Sequence, residues 1–122
     1  MSYLFQLQSD LTEKREQLAR LETSTRKLDS IQDEFIHNRH MVDDPELTPS
    51  TWHGTLADSF KNNREDMKEA YNDISISQLN SVRSTLEDKI TRLRIEIGMV
   101  ESSISHEKQR LKNEEKERKS VQ

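Results

Sequence analysis

The residues best suited to chemistry in this 122-residue chain are two histidines, His37 and His40, with Asp33, Asp43 and Asp44 close by in sequence. Imidazole nitrogens and carboxylates are common donors to a divalent metal, so a metal site is the first chemistry to weigh. The spacing argues against it. Paired histidine ligands on a helix favour i, i+4 with a rigidly held third ligand, whereas these stand at i, i+3 and their acids flank a turn. The group reads as a solvated acidic helix end, and no metal is assigned. Elsewhere Asp and Glu interleave with Lys and Arg, so no carboxylate pair stands out as an acid/base dyad. No nucleophile motif is visible, and two glycines cannot build a phosphate-cradling loop. The sequence therefore points to no catalytic residue, no cofactor and no enzyme activity.

Charge and composition narrow the remaining classes. Hydrophobic residues make up 30% of the chain, well short of what a thick globular core requires. Disorder is disfavoured because 23 acids against 19 bases leave only −4, and the apolar residues are periodic. The 18 residues from Asp29 to Glu46 hold six acids and one arginine, and the tail from His106 nets only +2, so nucleic acid is not a partner. No basic amphipathic face or long apolar run points to a membrane surface or membrane insertion. Absent cysteines exclude a disulfide framework and a thiolate metal site. The opening stretch "MSYLFQLQSDLTEKR" lacks both the basic start and the apolar run of a signal peptide, so any export is expected to proceed without one.

What must be positioned is therefore a surface, and helices must position it. Leu4, Leu7, Leu11, Leu18, Leu21, Leu28 and Phe35 form a three-four alternation, with Lys14, Thr25 and Gln32 at the remaining seam positions. This predicts a helix over about 3–42. A second stripe runs through Leu56, Phe60, Met67, Tyr71, Ile74, Gln78, Val82, Leu86, Ile90, Leu93, Ile97, Val100, Ile104 and Leu111, predicting a longer helix over about 52–112. In "ISISQLNS", Ile74 to Ser81, β-branched and serine residues lower helix propensity and the apolar register slips, so a bend or register shift is expected near 74–81. After Leu111 the sequence "KNEEKERKSVQ" has no apolar residue until Val121, so 113–122 is expected to fray.

Between the stripes lies "DDPELTPSTWHG". Asp44-Pro45 and Thr48-Pro49 each have the form of an N-cap followed by proline at the first helical position, and each proline disfavours helix in the residue before it. A connection this short, residues 43–51, folds the helices back on each other. The expected fold is all-α: a single helical-hairpin domain over 1–122, elongated, antiparallel and coiled-coil-like. Ile31, Ile36, Ile76, Leu79 and Ile95 fall beside the seam and widen the apolar surface beyond what two helices bury, which makes them candidate partner-binding residues.

Trp52-His53-Gly54 at the reversal of such a hairpin resembles the signature of the WXG superfamily, small proteins handled by type VII secretion systems. The fuller pattern is "PEL" upstream, then "WHGTLADSFKNNRED" with Ala57, Asp58, Phe60 and Arg64 in phase. It is similar to the YwqH-like family, associated with the LXG polymorphic toxins of Gram-positive bacteria. The resemblance makes Trp52 and Gly54 the motif pair, with Ala57 and Phe60 one and two turns along the same helix face. Physically, the indole would cap the hairpin end, Gly54 would admit a close neighbour, and Phe60 would anchor the first turn of core. Ser75 stands where a Tyr-x-x-x-Asp/Glu element after Tyr71 would place its acid, so the partner is expected to supply the export signal.

The resemblance thus implies a non-enzymatic adaptor or targeting chaperone for the helical N-terminal domain of an LXG-type toxin, with other small helical secretion proteins as further partners. It implies a cytoplasmic protein, or one exported with its partner. Periodicity alone is equally met by a self-associating coiled-coil protein, a homodimeric four-helix bundle. A third reading is a WXG-like effector secreted by itself.

Overall fold

The computed structural model describes residues 2–43 and 54–121, with the side chain of Val121 excepted. The expected turn over 43–51 and Trp52 therefore lie, apart from Asp43, outside the described residues. Every element described is helical. Helix α1 spans Ser2–His37 and tightens into a 3-10 segment, Asn38–Asp43. Helix α2, Thr55–Asn72, passes through a π segment, Asp73–Gln78, into helix α3, Leu79–Val121. No glycine or proline interrupts 2–43, which leaves α1 without an internal breaker.

Two compact units form, one from residues 1–24 with 86–122 and the other from 25–85. In the first, Lys14 Nζ bonds Glu96 at 3.1 Å, Arg15 pairs with Glu101 at 3.3 Å and Arg94 with Glu22 at 3.2 Å. The partner's number rises as the number on α1 falls from Glu22 to Lys14 and Arg15, so the two legs are antiparallel. Ile90, Ile97 and Ile104, each 8% exposed, supply the buried apolar residues of this unit. In the second unit Phe35 meets Tyr71, Gln32 meets Ser75 and Asp29 meets Arg83, again antiparallel. The architecture is the all-α helical hairpin that the sequence predicts.

All ten seam positions of α1 are partly or fully buried, from Leu4 to Phe35. The second stripe behaves differently before and after the π segment. Leu86, Ile90, Leu93, Ile97, Val100, Ile104 and Leu111 all turn inward. Upstream, the packed residues are instead Ala57, Lys61, Arg64, Lys68, Tyr71, Ser75, Leu79 and Arg83. Leu56, Phe60, Met67, Ile74, Gln78 and Val82 remain exposed, so for these six the expected seam is corrected. Each immediately precedes a packed residue, a rotation of about 100° on a helix. On the packed face the small residues Ala57 and Ser75 are buried, while Lys and Arg stems cover apolar surface and send their charges outward.

The π segment, Asp73–Gln78, overlaps the expected slip at 74–81. Gln78 Nε2 donates to Asp73 Oδ2 at 2.7 Å, a five-residue spacing that suits the wider turn. Ser75, fully buried, lies at its centre. At the C-terminus α3 continues through Val121, beyond the expected end near 112. Residues 113–120 are nearly all good helix formers, and Arg118–Glu114 and Lys119–Glu115 add i, i+4 pairs.

Candidate partner interface

The site is assembled from the polar core of the second unit outward. Gln32, 7% exposed, donates from Nε2 to the Ser75 carbonyl at 2.8 Å and to Asn80 Oδ1 at 2.9 Å, and accepts from Arg83 Nη2. Arg83 also pairs with Asp29. A π turn strands backbone groups that a regular helix would pair internally, and a glutamine amide has the reach to satisfy one from the opposite helix. This polar layer fixes one register between α1 and the returning leg. Nearby, Tyr71 donates to the Phe35 carbonyl and their rings lie 5.3 Å apart.

Around the 3-10 segment, Lys68 pairs with the Asp43 carboxylate, which holds the ammonium above its ordinary pKa through their hydrogen bond. Arg64 donates to the Asp43 carbonyl at 3.1 Å and lies 5.2 Å from the centre of the Phe60 ring. Phe60 is therefore not the first core anchor: it is 46% exposed beneath a guanidinium, because Ala57 takes the inward position. Gly54 precedes α2 with φ 103°, a conformation that favours glycine. Its carbonyl accepts from the Asp58 N–H at 3.0 Å. Among the described residues nothing lies within 4 Å of a Cβ placed on Gly54, so backbone conformation rather than close approach accounts for the glycine.

Of the candidate partner residues, Ile31, Ile36, Ile76 and Ile95 are 45%, 47%, 43% and 58% exposed. They do not share one face: Ile31 and Ile36 on α1 are separated by about 140° at 100° per residue. Leu79 is only half-exposed, because the π segment turns it inward between Ser75 and Arg83. The exposed apolar residues that sequence reasoning assigned to the core are Leu56 at 84%, Met67 at 60%, Val82 at 48%, Ile74 at 38% and Phe60. Ala57 and Ser75, one residue along from Leu56 and Ile74, were the available signal: small residues at 57 and 75 mark a close-packed face.

His40 Nδ1–H donates to the His37 carbonyl at 3.0 Å, which spends that nitrogen on backbone. No group of three or more His, Asp or Glu residues placed to hold a metal occurs among the described residues. In the first unit an open groove of about 390 Å³ has Leu21 and Leu93 in its lining, with Arg20, Lys89 and Arg92 around them. No described helix is long and apolar enough to cross a membrane.

No curated protein and no solved structure matches the chain. A family model described as YwqH-like does match, over residues 3–116, taking in both legs of the hairpin and the reversal between them. With all but the extreme ends of the chain covered, the protein belongs to the YwqH-like family.

Proposed function

We propose that this protein is a non-enzymatic adaptor, a targeting chaperone that binds the helical N-terminal domain of an LXG-type toxin for type VII secretion. One observation carries the binding role: among the described residues four apolar side chains are buried, while thirteen large ones, from Tyr3 to Met99, are 38–84% exposed. A hairpin that leaves this much apolar surface in water is built to be covered by further helices. Membership of the YwqH-like family supports an LXG-type toxin as the source of those helices. The partner supplies the export signal, and the adaptor either stays in the cytoplasm or leaves with its cargo.

The test is co-expression with the helical N-terminal domain of an LXG-type toxin from the same genome. A stable complex at matched stoichiometry supports the adaptor. A tight homodimer that excludes the toxin domain replaces it with the self-associating four-helix bundle.

A further inference from the structure

Between Leu56 and Val82 the large exposed apolar residues, Ile76 apart, fall on one stripe. Positions 56, 60, 63, 67, 70, 74, 78 and 82 advance in steps of three and four, and Leu56, Phe60, Met67, Ala70, Ile74 and Val82 occupy six of them. From Leu56 to Val82 this stripe runs roughly 39 Å at the helical rise. Its charges are asymmetric. Asp66, Glu69 and Asp73 immediately precede Met67, Ala70 and Ile74, which sets them along the edge away from the packed face. Among the described residues Asp66 and Glu69 have no cation within ion-pair reach, and Asp73 is engaged only by the neutral Gln78 amide. On the opposite edge, Lys68 and Arg83 already hold Asp43 and Asp29, and Arg64 holds the Asp43 carbonyl.

We infer that this stripe docks one amphipathic partner helix whose apolar face is edged by lysine and arginine. Charge complementarity selects the occupant: apolar side chains cover Leu56, Met67, Ile74 and Val82, and the basic edge meets Asp66, Glu69 and Asp73. An antiparallel second copy fits poorly, because a two-fold axis at Met67 brings Asp66 of both copies together, and a parallel copy would meet Lys68 and Arg83, which already hold Asp43 and Asp29. The inference rests on the adaptor reading and assigns it a face.

The test is calorimetric titration of the full chain with the purified helical domain of an LXG-type toxin from the same genome, at two salt concentrations. Met67→Glu and Val82→Glu are expected to weaken binding at least a hundredfold while leaving the isolated chain's helicity and melting unchanged, since both side chains already face water. Asp66→Lys with Asp73→Lys is expected to weaken it about tenfold and to reduce its salt dependence. If the toxin domain binds both glutamate variants as tightly as the parent, the stripe is not the docking face, although the adaptor stands. If the glutamate variants fail but charge reversal changes nothing, the basic edge is overturned. Absence of binding by the parent chain removes both readings, and a homodimer dispersed by Met67→Glu would give the stripe to a second copy instead.

Discussion

Replacing Gln32 with methionine removes the centre of the polar layer while nearly conserving volume, so the outcome reports hydrogen bonding rather than a cavity. Three bonds disappear: two donated by Nε2, to the Ser75 carbonyl and Asn80 Oδ1, and one accepted from Arg83. They are not equivalent. Asn80 is exposed and turns to water, and Arg83 keeps Asp29 with part of its side chain in solvent, so each of these losses costs about 0.5 kcal/mol. The Ser75 carbonyl belongs to a fully buried residue within the π segment. Leaving a buried acceptor unsatisfied costs roughly 1–3 kcal/mol. The expected destabilisation is about 2–4 kcal/mol, read as a shift of the urea midpoint at constant m-value by circular dichroism at 222 nm. A change under about 0.5 kcal/mol, or a gain in stability, would show that the polar layer does not hold this register and that the π segment persists without it.

Gly54→Ala is expected to cost about 1–3 kcal/mol although no described residue lies within 4 Å of the new methyl, because φ 103° with ψ −178° is a region essentially restricted to glycine. Ala57→Leu, at a position 2% exposed, is expected to cost about 1–3 kcal/mol by overpacking a buried site. Wild-type melting after Ala57→Leu would mean that the packed face of α2 has been misassigned. The Arg110 guanidinium, hydrogen-bonded to Glu107 at 2.8 Å, holds that carboxyl below its usual pKa. The stabilisation is present above the unfolded-state value of about 4.3 and is lost as pH falls through the lower folded-state value. Glu107→Gln should therefore flatten the acid limb of a melting-temperature profile, and an unchanged limb would contradict the pairing.

How much of this was legible in the sequence depends on the helix. In α1 the heptad residues have no competing stripe, and all ten positions from Leu4 to Phe35 turn inward. The register slip could be located because β-branched and serine residues cluster at 74–77. In α2 two stripes lie one residue apart, and periodicity cannot rank them. Reasoning from apolarity put Leu56, Phe60, Met67 and Ile74 inside, where the structure places Ala57, Lys61, Lys68 and Ser75. That rule assumes a helix buries its largest apolar residues within its own chain, whereas small and basic residues hold the packed face here. Gln32 was recognisable as a polar seam position, but its partners 43 to 51 residues away depend on the register of the folded pair. The tail was misjudged for another reason: without apolar residues, residues 113–120 rely on propensity and local ion pairs.

The proposed adaptor role is tested most directly by export of the toxin. The measurement is the amount of an LXG-type toxin in the culture supernatant of the native host, with this gene intact, deleted, and restored as parent or as Met67→Glu. Export should fall to background on deletion, return with the parent chain and fail to return with Met67→Glu at equal protein level. Toxin export that is unchanged by deletion would contradict the adaptor role.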